Sequence, residues 1–156
     1  MTTVHREVLQ ELQKYSATAT TSKAMMEWIA KRLHEKLTRY NWVGFYLVDP
    51  DDPGYLVVGP FAGSFTPNAR IPLSNGLCGA AATSGKVVLA QDVTKDVRYL
   101  PGTSMVKSEI VVPIFLNKKL AAELDVESYF ANTFTRDEQE FVETCAGVVA
   151  EQLAKA

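Results

Sequence analysis

The sequence predicts one α+β domain, in which helices come first, antiparallel strands fill the middle and a helix comes last. Three observations lead to this fold class. Apolar residues recur at helical spacing near the N-terminus, runs rich in aromatic and β-branched residues flank short polar loops in the middle, and a helical apolar stripe returns at the end. Helices that precede and follow a block of strands, rather than alternate with them, are typical of α+β domains.

Two helices are predicted at the N-terminal end. Apolar residues within 4–15 fall on one helical face, and a second apolar stripe occupies 25–37. Threonine and serine at 20–22 are N-cap residue types and predict the start of the second helix, which we expect to end near Tyr40. His5 lies on the first helix beside charged residues, so its side chain is expected at the surface.

Two hairpins are predicted in the middle of the chain. Residues 41–48 and 55–61 are rich in aromatic and β-branched side chains and are separated by a polar loop containing proline and glycine. Residues 108–116 and 120–128 have the same character around Asn117-Lys118-Lys119. Adjacent strands with short connections pair antiparallel, so these four runs predict the main part of one sheet.

The remaining elements are shorter or lie at the C-terminus. Between the hairpins, the sequence indicates a short helix around Cys78 and a short strand at 87–90. Thr135 followed by Glu138 matches a capping box, and a helix is expected from there to about Leu153.

Composition narrows the class of function. The chain has 156 residues, of which 47% are hydrophobic, and a net charge of −2, so it fits one domain and has no basic surface for nucleic acid or an anionic membrane. The charged N-terminus does not match a signal peptide, and no apolar run has the length of a membrane span. We expect a cytoplasmic protein with reduced cysteines.

The two cysteines are predicted to differ in environment. Cys78 lies in a glycine-flanked run at the start of the short helix, where free N–H groups and the helix dipole favour a thiolate. Cys145 falls on the apolar face of the last helix and is expected in the core. A lone thiol cannot complete an internal redox cycle, so a packing role for Cys78 is preferred to a catalytic one.

Two pairs of residues could line a binding site. Asp125 and Glu127 are two apart in a predicted strand and therefore share a face, and Trp42 and Tyr46, four apart, share a face of another strand. The carboxylates could line a cavity or lie on an exposed sheet face. The aromatic rings could bind a ligand or fill the core.

Six short blocks, in this order, make the chain similar to a known family. It resembles the free methionine-R-sulfoxide reductases, which are stand-alone GAF domains that reduce the sulfoxide of the free amino acid. The similarity covers roughly residues 20–155. The blocks are Asn41-Trp42-Val43-Gly44-Phe45-Tyr46, Gly59-Pro60-Phe61, Arg70-Ile71-Pro72, Gly76-Leu77-Cys78-Gly79, Ser108-Glu109-Ile110-Val111-Val112-Pro113 and Leu124-Asp125-Val126-Glu127-Ser128.

The resemblance implies a GAF fold, with a central antiparallel sheet and the N-terminal and C-terminal helices packed on one side. Residues 1–156 would form a single GAF domain, with 1–20 as an N-terminal helical extension and 21–155 as the GAF core. It also implies roles for five residues. Trp42 and Tyr46 would line the pocket for the methyl-sulfoxide end of the substrate, and Glu109, Asp125 and Glu127 would be pocket carboxylates that also act in catalysis.

The chain departs from the family pattern at its thiols. Cys78 matches one recycling cysteine, which would make it a catalytic residue, but the other is missing from 64–69. The attacking cysteine, expected six or seven residues before Glu109, is also missing, because Pro101-Gly102-Thr103-Ser104 occupies that region. In addition, Ala122-Glu123 stands where the family favours glycine and an apolar residue.

We therefore expect a small-molecule-binding GAF domain with impaired reductase activity. An acidic pocket with aromatic walls suits an ammonium group, so the expected ligand is a free amino acid or a similar small polar molecule. Two alternatives remain: an active reductase that uses Cys78 with an external thiol such as thioredoxin, and a dimerisation module that pairs as a homodimer. No cofactor, metal, nucleic acid or membrane partner is expected.

Overall fold

The computed structural model describes residues 1–101 and 103–155. It contains four α-helices and six strands within these residues. In chain order they are α1 (Thr3–Ser16), α2 (Ser22–Lys36), β1 (Trp42–Val48), β2 (Tyr55–Gly63), β3 (Arg70–Pro72), α3 (Gly76–Ser84), β4 (Val88–Ala90), β5 (Ser108–Leu116), β6 (Lys119–Ser128) and α4 (Arg136–Lys155).

The six strands form one antiparallel sheet in the order β3-β2-β1-β6-β5-β4. Both predicted hairpins are present, and β6 lies between β1 and β5 at the centre. The α+β class and the central antiparallel sheet are therefore confirmed. Because β6 pairs with a strand on each side, each of its side chains has neighbours on β1 and on β5. A binding site centred on β6 can therefore include side chains from all three strands.

The two faces of the sheet carry different layers. Helices α2 and α4 pack on one face and α1 packs against both of them, so that the three helices lie on one side and enclose the larger apolar core, as predicted. Helix α3 packs on the other face, where a smaller apolar cluster includes Trp42, Tyr46 and Cys78. Alternation assigns neighbouring residues to opposite faces, so Val43 and Phe45 belong to the larger core while the aromatic residues beside them belong to the smaller cluster.

The capping box expected at the start of α4 is not formed. Glu138 does not close a capping box with Thr135, whose N–H donates to the carbonyl of Thr133. The Glu138 carboxylate instead accepts a hydrogen bond from the Tyr40 hydroxyl at 2.9 Å and lies 3.0 Å from His5 Nε2. The Glu138 carboxylate therefore binds two residues that are distant in the sequence, and it is not available to cap α4.

The surface position expected for His5 is also wrong. The His5 ring is fully buried and stacks on Phe141 with 4.4 Å between ring centroids. His5 Nδ1 accepts from the N–H of Thr2, and the hydroxyl of Thr2 accepts from the N–H of His5, so the capping box of this chain is at α1. His5 and Glu138 thus connect α1 to α4.

Helix α2 begins after the N-cap Thr21, as predicted, but ends at Lys36, four residues before the expected end at Tyr40. Tyr40 is buried in the turn that leads to β1. Among the described residues, no helix combines the length and the apolar character that crossing a bilayer requires. Ala156, the last residue of the predicted domain, lies outside the described residues.

Candidate functional site

The centre of the site is a row of three carboxylates on β6. Glu123, Asp125 and Glu127 alternate along the strand, so all three project toward the α3 side of the sheet. On β5, Glu109 lies directly opposite Glu127 and adds a fourth carboxylate to the same face. All four side chains are buried, with exposed fractions of 0–7%. The interpretation as a solvated sheet face therefore does not fit this structure.

The register of β1 places the aromatic residues beside this row. Trp42 lies opposite Glu127, and Tyr46 lies opposite Glu123. The two rings are 6.1 Å apart between centroids, and the Tyr46 hydroxyl donates to the carbonyl of Asn68 at 2.9 Å. The two aromatic residues and the carboxylates named from the sequence are therefore on one face of the sheet, and α3 covers that face.

Two glycines make room for the indole ring. A Cβ at Gly44 would lie 2.3 Å from Trp42 Cη2, and one at Gly63 would lie 2.5 Å from Trp42 Cδ1. The ring fills the space above both glycines and stacks on Phe61 and Phe65 at 5.7 and 5.9 Å. Trp42 is fully buried, and its Nε1–H has no hydrogen-bond partner among the described residues.

A small cavity lies between the acid row and α3. Its volume is about 20 Å³, which is room for about one water molecule. An amino acid does not fit unless the covering segments move. The cavity is lined by Tyr46, Phe65, Pro67, Asn68, Ile71, Gly76, Leu77, Cys78, Leu100, Glu109, Asp125 and Glu127.

Cys78 forms part of the cavity wall, and its Sγ lies 3.6 Å from Asp125 Oδ2. The sequence favours a thiolate here, because the residue begins a helix. The structure contradicts this expectation, since burial, followed by the charges of Asp125 and Glu123, raises the pKa of the thiol well above its usual range. Burial of the thiol, together with the nearby carboxylates, outweighs the partial charge of one short helix.

Burial also changes the titration of the acids. It raises the pKa of Glu123 to about 9, with a further contribution from the charge of Asp125, and it raises the pKa of Asp125 to about 6. Burial and the neighbouring carboxylates raise the pKa of Glu109 and of Glu127 well above the usual range. Among the ion pairs of the described residues, none includes any of these four acids.

The second cysteine lies on the other side of the sheet. Cys145 is fully buried in the larger core, as predicted, whereas Cys78 belongs to the smaller cluster. The sheet itself separates the two thiols, so they cannot form a disulfide in this fold. Gly102, in the segment where the attacking cysteine of the family is expected, lies outside the described residues.

Sequence reasoning did not assign a site role to Glu123. The residue is two positions before Asp125, so the alternation that grouped Asp125 with Glu127 could also have included it. In the sequence, Glu123 stands out only as part of a departure from the family pattern. Phe65, Ile71 and Leu100 were missed as well, because only the fold brings these loop and edge residues over the acid row.

Comparison with known proteins agrees with this fold. Residues 23–153 match the model of the GAF domain family, and the chain belongs to that family. Free methionine-R-sulfoxide reductases are among its relatives. It is 30% identical to the free methionine-R-sulfoxide reductase of Escherichia coli over 139 residues, which cover 89% of this chain and 82% of that protein.

Two further comparisons cover nearly the whole chain. It is 31% identical to Protein YtsP of Bacillus subtilis over 148 residues, which cover 95% of this chain and 90% of that protein. The solved structure of the free methionine-R-sulfoxide reductase from Neisseria meningitidis, in complex with its substrate, superposes with a TM-score of 0.89 at 31% identity. That alignment covers 97% of this chain and 90% of the other, so the resemblance inferred from the sequence is confirmed.

Proposed function

We propose that this GAF domain binds a free amino acid or a similar small polar ligand that carries an ammonium group, and that its reductase chemistry is impaired. The observation that carries the proposal is that Tyr46, Glu109, Asp125 and Glu127 line one buried cavity. Trp42 lies on the same face of the sheet beside Tyr46 but does not line the cavity. The similarity to a reductase solved in complex with its substrate supports a ligand-binding role for this domain.

The ligand class follows from the polar groups of the site. The four acids have no ion-pair partner among the described residues. Asp125, with a pKa of about 6, is charged at neutral pH and favours a cation, and an ammonium group offers it and its neighbours three donors. The Oδ1 atom of Asp125 is buried without a hydrogen-bond partner and is one candidate acceptor. The ring of Tyr46 lines the cavity and would contact the apolar part of the ligand. Trp42, expected from the sequence to line the pocket, is instead covered by Phe61 and Phe65 and would reach a ligand only after Phe65 moves.

Entry of such a ligand requires the cavity to enlarge. Phe65, Pro67 and Asn68 belong to the segment between β2 and β3 that covers the cavity, and Leu100 covers it from another loop. These residues belong to no regular element, so they can move without breaking the ladder of the sheet. We therefore expect the ligand to bind together with a displacement of residues 65–68.

The impairment rests on the thiols. Sulfoxide reduction needs a thiolate at the substrate sulfur and a second thiol that releases the product. Cys78 is the one cysteine beside the cavity, its pKa is raised, and Cys145 lies across the sheet. The chain therefore supplies neither an activated thiol nor an internal resolving thiol.

The position of Cys78 against Asp125 favours one alternative, an active reductase assisted by an external thiol. The Cys78 sulfur would attack the sulfoxide sulfur while a carboxylic acid protonates the oxygen, which leaves as water after a second proton arrives. An external thiol would then attack the Cys78 sulfur, releasing the sulfide and leaving a mixed disulfide that a second external thiol reduces. Over the whole cycle one sulfoxide and two external thiols give one sulfide, one disulfide and one water.

Calorimetric titration tests the binding proposal. The wild-type protein should bind free methionine, its R-sulfoxide or another amino acid with one saturable site, and Asp125→Asn should weaken binding because it removes a charge from the cavity. Asp51→Asn is the matched control, since Asp51 is exposed in the β1–β2 loop. Flat traces for every amino acid would overturn the proposal.

A turnover assay separates the proposal from its alternative. Incubation with free methionine-R-sulfoxide and dithiothreitol should give no more methionine than the same mixture without protein. Methionine formation that depends on the wild-type protein and disappears in Cys78→Ser would establish the assisted reductase instead. Activity that survives in Cys78→Ser would contradict both.

A further inference from the structure

The same cavity is lined by three side chains whose donor atoms are suited to a metal ion. Cys78, Glu109 and Asp125 are all buried, and one donor atom from each lies within 4.8 Å of the other two. We propose that these three side chains bind a single divalent transition-metal ion, with zinc as the best match. This inference does not depend on the proposed amino-acid ligand, because it concerns the metal alone.

The distances are close to those of a metal site. Ligand atoms of a tetrahedral zinc ion, with bonds of roughly 2.0–2.3 Å, are about 3.5 Å apart. Cys78 Sγ and Asp125 Oδ2 are already 3.6 Å apart. A donor atom of Glu109 lies within 4.8 Å of both, and rotation of its side-chain torsions can bring it closer.

The cavity has the size of one ion. Its 20 Å³ holds a single water-sized sphere, and Cys78, Glu109, Asp125 and Glu127 all line it. An amino acid requires displacement of the loops, whereas a metal ion requires only that these donors converge. Glu127 is the nearest candidate for a fourth ligand, because it lies opposite Glu109 in the sheet and reaches the same space.

An unpaired acceptor provides independent support. Asp125 is 98% buried, since its exposed fraction is 2%; Cys78 donates to its Oδ2, and its Oδ1 accepts no hydrogen bond from a backbone N–H, a hydroxyl or a basic side chain of the described residues. A buried carboxylate oxygen without a partner is costly, and such an atom beside a cavity favours a cationic occupant. The described lysines, arginines and histidines form no ion pair with it.

The donor types decide which metal fits. Thiolate is a soft ligand that selects zinc and related ions, whereas magnesium and calcium prefer oxygen donors and larger coordination numbers. One sulfur with two or three carboxylate oxygens is within the range of zinc ligands. Binding replaces the thiol proton of Cys78 by the metal, and the proton is released to solvent.

Cobalt(II) provides the first test, because it substitutes for zinc and its thiolate complexes absorb in the near ultraviolet. Wild-type protein should bind one equivalent with a thiolate-to-cobalt band, and added zinc should remove the band. Cys78→Ala should abolish the band, and Cys145→Ala should retain it. Cys145 is a matched control because it is the other buried thiol of the chain.

Affinity measurements by zinc titration extend the test. Asp125→Asn should weaken zinc binding by about tenfold or more, since loss of even an outer partner of a metal site costs 10–100-fold. Magnesium should not compete at equal concentration. Competition by magnesium, or a cobalt band that depends on Cys145 rather than Cys78, would overturn the proposal.

A measurement on the wild-type protein avoids variants that fail to fold. X-ray absorption of the zinc-loaded protein should show one sulfur at about 2.3 Å together with oxygen ligands at about 2.0–2.2 Å. A shell without sulfur, or the lack of saturable binding to either metal, would overturn the proposal. Because no amino acid is present, these outcomes are independent of the calorimetric test of the proposed function.

Discussion

The two faces of the sheet are formed by alternate residues of the same strands, yet they have opposite properties. On one face, Leu124 and Val126 of β6 pack into an apolar core covered by three helices. On the other face, Glu123, Asp125 and Glu127 form a buried acid row under a nine-residue helix. The apolar face stabilises the fold and the acid face costs stability, which is the usual relation between a core and a functional site.

The largest effect that tests this comparison is expected at Leu124. Leu124→Ala removes a fully buried side chain from the larger core and should lower the free energy of unfolding by about 2–5 kcal/mol. Chemical denaturation measures the change. A loss similar to that of an exposed alanine substitution would mean that this face is not the main source of stability.

The packing of the indole is the next test. A Cβ at Gly44 would overlap Trp42 Cη2, so Gly44→Ala should displace the ring and destabilise the fold by about 1–3 kcal/mol. Calorimetry should also show weaker binding of the amino-acid ligand. Gly147→Ala is the matched control, because a Cβ there meets nothing within 4 Å. That variant should stabilise α4 by about 0.5–1 kcal/mol.

Glu123 should respond in the opposite direction from its neighbour Leu124. Its pKa of about 9 means that the folded protein holds a proton that the unfolded chain has lost at neutral pH. Glu123→Gln removes this cost and should stabilise the protein by about 1–3 kcal/mol at pH 7.5, measured by urea denaturation with a chelator present. Destabilisation would show that the charged carboxylate has a favourable partner in the fold.

The pH dependence of stability sharpens the same point. A carboxyl group with a raised folded pKa supports the fold fully below its unfolded pKa of about 4, and this support is lost as the pH rises through the folded value. For Asp125 and Glu123 these values are about 6 and about 9. The free energy of unfolding should therefore fall between about pH 4 and pH 9.

Variants identify which carboxyl group causes the free energy of unfolding to fall with pH. Glu123→Gln should flatten the upper part of the curve, and Glu151→Gln should leave it unchanged, because Glu151 is exposed on α4. Equal curves for the wild type and Glu123→Gln would remove Glu123 as the source. The experiment needs only denaturation curves at several pH values.

Much of this comparison can be predicted from local sequence patterns. Alternation in β6 separates Leu124 and Val126 from Asp125 and Glu127, and helical spacing places Cys145 in the core. These signals depend on neighbours a few residues apart. The same local rules set the hairpins and the N-cap at Thr21, and the structure has all of them.

The errors come from contacts between distant residues. Cys78 begins a helix, but burial, followed by the charges of carboxylates on β5 and β6 that are 31 or more residues away in the sequence, raises its pKa. Glu138 has the spacing of a cap, but His5 and Tyr40 occupy its carboxylate. Neither effect can be predicted from the local sequence, because the residues involved come together only in the fold.

We propose that this domain binds a free amino acid and lacks efficient reductase activity. Titration of the wild-type protein with free methionine-R-sulfoxide in a calorimeter, with dithiothreitol in both solutions, measures both properties in one run. We predict a saturable heat of binding in each injection that returns to the baseline. A sustained heat flow that continues until the sulfoxide is consumed, or no heat at all, would contradict the claim.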